Sequence, residues 1–92
     1  MALLSQPEIE SRLGDLPGWS QAGDVIEKRF ARGDFVGSVT FVSSLVEPAE
    51  RMGHHPDLAI SWDTVTVTIS THSEGGLTAA DFELAAKIEA LA

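Results

Sequence analysis

The sequence of 92 residues predicts a single α+β domain with the element order α-β-β-α-β-β-α. Two observations lead to this prediction. Segments in which apolar and polar residues alternate come in hairpin-linked pairs, and segments with apolar residues three and four positions apart separate those pairs. Parallel strands would need crossover connections, so we expect one four-stranded antiparallel sheet with the helices on one face. A chain this short has no room for a second core, and one domain over residues 1–92 is expected.

The first half of the chain is expected to hold one helix and one hairpin. A capping box over residues 5–8 predicts a helix from about Gln6 to Leu13. Two strands follow, over residues 19–22 and 25–30, and in the second of them apolar and polar side chains alternate. Gly23 lies between the two strands and supplies the turn.

A longer amphipathic helix is expected in the middle of the chain. Asp34 can cap it, and apolar residues then repeat at helical spacing as far as Ala49. Pro48 interrupts this pattern, so we expect a kink or a redefined helix there. Gly53 and Pro56 end the segment, because glycine is common just past a helix end and proline cannot continue the helix.

The last part of the chain predicts a second hairpin and a final helix. Strands over residues 58–62 and 65–70 are rich in β-branched residues, and a turn is expected at residues 63–64. Thr78 with Asp81 three positions later resembles a capping box and starts an apolar helical pattern that runs to the C-terminal end of the sequence.

Composition excludes several classes of function. Six Lys and Arg against 14 Asp and Glu give a formal net charge of −8, with no basic cluster, so we expect no direct binding to nucleic acid or to an anionic membrane. The absence of cysteine rules out disulfides, thiolate zinc sites and thiol nucleophiles. The N-terminal segment lacks the pattern of a signal peptide and no long apolar stretch follows, so a cytoplasmic location is expected.

The most informative feature is a cluster of residues suited to acid–base chemistry. All three histidines of the chain, His54, His55 and His72, lie between Glu50 and Asp81. Histidine has an ordinary pKa of about 6.5 and can exchange protons near neutral pH. In the predicted antiparallel hairpin, the start of the first strand faces the end of the second. A cleft at that end of the sheet could therefore hold all three imidazoles.

Other interpretations compete with a catalytic one. Glu50, His54 and His72 could ligate a metal, but the vicinal histidine pair argues against this because adjacent side chains diverge. Glu50 could be an ordinary surface carboxylate, and capping of the last helix is the stronger expectation for Asp81. Trp62 could belong to the core, or it could form one wall of a site for a flat ligand, since aromatic faces stack on planar rings.

Taken together, these motifs resemble the pterin-4a-carbinolamine dehydratase family over nearly the whole chain. The resemblance rests on Pro-Gly-Trp after the first helix, Glu-x3-His-His-Pro, and Ser-Thr-His followed by Gly-Leu-Thr-x2-Asp. It implies three catalytic residues: His54, His55 and His72. It also implies substrate contacts from three further residues: Glu50, Trp62 and Asp81. Gly53 and Ala80 stand where some relatives carry Asp and Arg, which puts substrate affinity and side-chain specificity in doubt.

The implied reaction is loss of water from a 4a-hydroxytetrahydropterin, giving a quinonoid dihydropterin. No redox change occurs, so no cofactor and no metal are expected. The family also contains proteins with a non-enzymatic role in binding or assembling protein partners, and that alternative stays open here. A homodimer or homotetramer is expected, both from the resemblance and because a small one-layer sheet leaves a face and its edges to be covered.

Overall fold

A computed structural model describes residues 2–92 and contains the predicted order of elements, with the middle helix in two pieces. The sheet is a single four-stranded antiparallel one with strand order β1-β2-β4-β3, as predicted. A short 3-10 turn, His72–Glu74, separates the last strand from the last helix. The elements are α1 Gln6–Leu13, β1 Ser20–Ala22, β2 Val25–Ala31, α2 Phe35–Ser44, α3 Val46–Met52, β3 Asp57–Ser61, β4 Thr64–Ile69 and α4 Ala79–Leu91.

The core lies between the helices and one face of the sheet. Strand β4 shows why: its valines and isoleucine are buried, while the threonines that alternate with them point to the other, polar face. The register places Ile26 opposite Ile69 and Phe30 opposite Val65, so β2 extends the same apolar surface. The helices cover this surface with buried apolar side chains: Phe41, Leu45, Leu84, Ala85 and Ile88.

The middle helix breaks at Leu45, three positions before the proline that the sequence marked as an interruption. Proline lacks an N–H, and its ring collides with the carbonyl four residues earlier. For Pro48 that carbonyl belongs to Ser44, the last residue of α2. Pro48 itself occupies the first turn of α3, where no intrahelical N–H is needed. The expected redefinition is therefore confirmed, and its position follows from the reach of the proline ring.

The β3–β4 turn is formed by Trp62 and Asp63, one position earlier than the sequence predicted. Ser61 pairs with Thr64, which closes a two-residue turn. Trp62 adopts a left-handed backbone with φ of 51°, and it is 70% exposed. Its alternation with Leu58 and Ile60 suggested a strand position, but tight hairpin turns need a residue with positive φ directly after the first strand.

The start of α2 imposes a size limit at Gly37. The Asp34 carboxylate caps the helix by accepting a hydrogen bond from the Gly37 N–H at 2.6 Å. A methyl group on Gly37 would overlap the carbonyl oxygen of Arg32, which belongs to the backbone and cannot rotate away. We expect Gly37→Ala to lower the free energy of unfolding by about 1–3 kcal/mol, despite alanine's higher helix propensity.

Denaturant titration measures this change, and Val36→Ala is the matched control in the same helical turn. Val36 is exposed, so its truncation is expected to stay within about 0.5 kcal/mol of the unchanged protein. An unfolding free energy for Gly37→Ala equal to or above that of the unchanged protein would show that the helix start can shift to admit the methyl group.

Candidate active site

Two loops bring the histidines to one end of the sheet. Helix α3 ends at Gly53, whose left-handed backbone (φ of 61°) turns the chain toward β3 and leaves His54 and His55 in the connection. His72 follows β4 at the start of the 3-10 turn. Asp57 at the start of β3 pairs with Thr68 near the end of β4. Both loops therefore lie at the same end of the sheet. This part of the prediction is confirmed by the topology.

His54 is held by a buried carboxylate. Its Nε2 lies 2.6 Å from Oδ1 of Asp81, and the two side chains are 15% and 0% exposed. A carboxylate only accepts hydrogen bonds, so the imidazole donates from Nε2. The other ring nitrogen, Nδ1, is not engaged by Asp81. This contact fixes the orientation of the ring and its tautomer.

Asp81 is itself fixed by the start of α4. Its Oδ2 accepts the Thr71 hydroxyl at 2.9 Å and the Thr78 backbone N–H at 2.8 Å. Thr78 and Asp81 form the capping box that the sequence predicted. Both oxygens of this buried side chain are thus used within the protein. Direct contact of Asp81 with a substrate stays a prediction, and the geometry favours a positioning role through His54.

His55 points to the opposite side of the loop. Its Nε2 lies 2.5 Å from Oε2 of Glu50, and both side chains are mostly exposed. The pair stands at the rim of a small pocket of about 190 Å³ whose other walls are apolar, including Val42, Pro56 and Leu58. Glu50, predicted as a substrate contact, therefore lies next to an imidazole and to a space that is open to a ligand.

His72 has a looser partner. Its Nε2 is 3.7 Å from Oδ2 of Asp57, and these side chains are 75% and 73% exposed. An exposed pair at this distance contributes little to stability and leaves the imidazole free to move. Each of the three histidines consequently has its own carboxylate, but only the pair of His54 and Asp81 is buried.

A cleft of about 540 Å³ opens beside His54, between the loop after α3, the 3-10 turn and α4. Neither His55 nor His72 lines it. The expectation that one cleft holds all three imidazoles is wrong within a single chain, because the adjacent side chains of His54 and His55 diverge and the exposed His72 lies beside Asp57 instead. The cleft is lined by Arg51, Met52, Gly53, His54, Thr71, Ser73, Glu74, Ala80, Glu83 and Lys87.

The structure does not bring Trp62 to this site. Trp62 sits in the turn at the far end of the hairpin, five positions beyond Asp57. At about 3.3 Å per strand residue, it is roughly 16 Å away from the loop that carries His54 and His55. A role for Trp62 as a wall of a site formed by these histidines in the same chain is therefore not supported.

Within residues 2–92, the side chains proposed as metal ligands are not arranged around a common point. Glu50 pairs with His55 rather than with His54, and among the described residues no group of three His, Cys, Asp or Glu side chains is arranged to hold a metal ion. The same part of the chain contains no helix long and apolar enough to cross a membrane.

Two functional candidates were missed from the sequence, namely Asp57 and Thr71. Asp57 directly follows the His-His-Pro turn and is the carboxylate closest in sequence to it. Thr71 directly precedes His72 and points into the protein. The signal for Asp57 was its position opposite the end of β4 in the hairpin register. Thr71 belongs to the Ser-Thr-His segment that carries the family resemblance, but nothing in the residue pattern assigned it a role in the site.

The fold and the site define a small α+β protein with histidine–carboxylate pairs at one end of an antiparallel sheet. The family model described as Pterin 4 alpha carbinolamine dehydratase matches residues 2–91. The chain belongs to this family.

Relatives and solved structures agree with that assignment. The chain is 54% identical over 89 residues to a protein of Thermosynechococcus vestitus provisionally named pterin-4-alpha-carbinolamine dehydratase, covering 97% of this chain and 94% of the relative. A relative from Roseiflexus castenholzii with the same provisional name is 50% identical, with coverage of 96% and 95%. A crystal structure of a transcriptional coactivator/pterin dehydratase from Brucella melitensis superposes with a TM-score of 0.94 at 32% identity, over 99% of both chains.

A second solved structure shows the breadth of the fold. It is a pterin dehydratase-like protein identified as a RuBisCO assembly factor in the alpha-carboxysome, with a TM-score of 0.66 and 27% identity. The match covers 80% of this chain and 88% of that one. The fold is thus used by a protein with an assembly role as well as by proteins named for dehydration.

The burial of Asp81 yields a prediction about stability. Asp81→Ala removes the acceptor for the Thr71 hydroxyl, the Thr78 N–H and the His54 ring, and it removes a helix cap. We expect the free energy of unfolding to fall by about 2–3 kcal/mol, as for a lost cap and buried donors left unsatisfied.

Denaturant titration measures this loss as well, with Glu83→Ala as the control two positions along the same helix. Glu83 is exposed, so its variant is expected within about 0.5 kcal/mol of the unchanged protein. Equal stability of the two variants would mean that the buried hydrogen bonds of Asp81 contribute nothing.

Proposed function

We propose that the protein catalyses the dehydration of a 4a-hydroxytetrahydropterin to the quinonoid dihydropterin by general acid–base catalysis. The observation that supports this most strongly is the imidazole of His54, which a buried carboxylate orients at the wall of an open cleft. Membership of the family supplies the substrate class. In this role the protein would serve to recycle tetrahydropterin.

The reaction needs two proton transfers and no electron transfer. A base removes the proton from N5 of the pterin, the electron pair forms the N5–C4a double bond, and the C4a–O bond breaks. An acid protonates the departing hydroxyl, so that it leaves as water. Hydroxide is a poor leaving group, and positioned acids and bases typically contribute 10²–10⁴-fold each to such steps. Nothing in this balance calls for a cofactor.

The three histidines are suited to different parts of this task. His54 is oriented by Asp81 through Nε2, which leaves Nδ1 as the atom that exchanges a proton with the substrate. His72 is exposed beside the same loop system and can approach a bound ligand from the rim. His55 points to the other side of the loop and pairs with Glu50 at the edge of a separate apolar pocket, so the role proposed for it is in substrate binding rather than in the proton transfers.

Replacement of the histidines tests these roles. We expect His54→Ala and His72→Ala each to lower kcat by 10²-fold or more, measured by the dehydration of a freshly generated 4a-hydroxypterin. His55→Ala is expected to raise KM at least as much as it lowers kcat. Glu10→Gln serves as the control, because Glu10 is an exposed α1 carboxylate that does not line the cleft, and it should leave both constants within twofold.

A kcat equal to that of the unchanged protein in both the His54 and the His72 variants would contradict the acid–base mechanism. A metal-dependent mechanism would be indicated by one equivalent of transition metal per chain whose removal by a chelator abolishes activity. We expect instead that activity survives exhaustive chelation.

A binding or assembly role is the second candidate. The structural similarity to a RuBisCO assembly factor and to a protein described as a transcriptional coactivator supports it. Exposed large apolar side chains, among them Phe35, Val36 and Trp62, are a second supporting observation. The buried pair of His54 and Asp81 favours catalysis, because a scaffold has no need of an oriented imidazole in a cleft. Loss of a partner complex in an otherwise active histidine variant would separate the two roles.

We also propose that the protein is a symmetric homo-oligomer. Strand β3 lies at the edge of the sheet, all five of its residues are exposed, and in the described part of the chain it pairs only with β4. Such an edge is open to pairing with a second copy across a two-fold axis. Exposed apolar side chains, here called the apolar band, surround this edge: Phe35, Val36, Val39, Val46, Leu58, Ile60 and Trp62.

Trp62 contributes a separate argument for self-association. A tryptophan with positive φ is strained compared with glycine or asparagine, by about 1 kcal/mol or more. Within a single chain most of this residue stays exposed, so little apolar surface of the indole is buried. Contact with a second copy would compensate for the strain and would cover the exposed ring.

Light scattering at micromolar concentration tests this assembly. We expect a mass at least twice the 9.8 kDa of one chain, and we expect Ile60→Lys to reduce it because the lysine places a charge in the apolar band. Leu3→Lys is the control, since Leu3 is an exposed apolar residue outside the band. A single-chain mass for the unchanged protein would show that the sheet edge is protected without a partner.

A further inference from the structure

One buried hydroxyl group, that of Thr71, connects the elements that carry the site. The Thr71 residue is 7% exposed. Its Oγ1 lies 2.9 Å from Oδ2 of Asp81 and 2.8 Å from Oγ1 of Thr78. Asp81 in turn holds His54. The path from the Thr71 hydroxyl to the imidazole therefore passes through a single side chain.

The direction of each hydrogen bond follows from the number of protons available. A hydroxyl carries one proton, and Thr71 donates its proton to the Asp81 carboxylate, which can only accept. The Thr78 hydroxyl must then donate to Thr71. The result is a chain of donors that runs from Thr78 through Thr71 to Asp81, in a buried environment where such bonds strengthen one another.

The backbone of Thr71 organises the loop that carries His72. Its N–H donates to the carbonyl of Gly76 at 2.9 Å, and its own carbonyl accepts from the N–H groups of Glu74 at 3.0 Å and Gly75 at 3.1 Å. These bonds close the 3-10 turn that begins at His72. The Thr71 side chain thus contacts Asp81, which holds His54, and the Thr71 main chain contacts the 3-10 turn that carries His72.

We propose that Thr71 is a positioning residue for the reaction. Its hydroxyl holds the Asp81 carboxylate in the rotamer that presents Oδ1 to Nε2 of His54. Without this donor, Oδ2 keeps only the Thr78 N–H, and the carboxylate can rotate away from the imidazole. The consequence for turnover rests on the proposed dehydratase function, whereas the consequence for the His54 ring does not.

The test compares two substitutions of Thr71. Thr71→Val keeps the shape and removes the hydroxyl, and Thr71→Ser keeps the hydroxyl and removes the methyl group. Thr66→Val is the matched control, because Thr66 lies on the polar face of β4 with no contact to Asp81. Two readouts are used. One is the NMR signal of the Nε2 proton of His54, identified by its absence in His54→Gln, and the other is the separate values of kcat and KM.

We expect a slowly exchanging Nε2 proton signal in the unchanged protein, in Thr71→Ser and in Thr66→Val, and its loss in Thr71→Val. We expect kcat to fall about tenfold in Thr71→Val with KM within twofold, because a small displacement of a catalytic group reduces turnover more than binding. Recovery of kcat in Thr71→Ser assigns the effect to the hydroxyl rather than to packing.

The NMR signal and kcat together distinguish a failure of the positioning role from a failure of the proposed dehydratase function. A persistent proton signal in Thr71→Val, or equal losses of kcat in the Val and Ser variants, would overturn the positioning role. If the unchanged protein lacks dehydratase activity, the NMR comparison still decides whether Thr71 orders His54. Should Thr71→Val fail to fold, Thr71→Ala and Thr71→Ser are compared by the same criteria.

Discussion

The buried carboxylate of Asp81 is the constraint on which the rest of the site depends. A charged side chain with no solvent exposure is costly unless every acceptor position finds a donor. Here the donors come from three separate segments: the loop after α3, the end of the β4 segment, and the first turn of α4. Satisfying one carboxylate therefore fixes the helix start and the loop that carries His72, and it orients the imidazole of His54.

The same principle explains why the three histidines are not equivalent. His54 points toward α4 and is held in a buried pair, while its neighbour His55 points toward α2 and β3 and pairs with Glu50 at the surface. His72 meets Asp57 only loosely. One imidazole is therefore held in a buried pair at the wall of the cleft, and the other two are exposed and paired with surface carboxylates outside it.

Local patterns predicted the architecture well, and they predicted the site only in part. The alternation of Val65, Val67 and Ile69 defined the sheet face, and the capping pattern of Thr78 and Asp81 defined the last helix. The exact turn of the second hairpin was missed, because the alternation of Leu58 and Ile60 continued into Trp62. The vicinal positions of His54 and His55 indicated that their side chains diverge, but residue spacing did not show which partner each imidazole takes. The hydrogen bond from the Thr71 hydroxyl to Asp81 is a tertiary contact, which the Ser-Thr-His pattern by itself did not reveal.

The central claim is that this chain accelerates the loss of water from a 4a-hydroxytetrahydropterin. Stopped-flow measurement of quinonoid dihydropterin formation, with the 4a-hydroxypterin generated immediately before mixing, tests it most directly. The account predicts a rate that rises in proportion to protein concentration and far exceeds the rate in buffer alone. A rate that stays at the buffer value at every protein concentration would contradict the account and leave binding or assembly as the function of this fold.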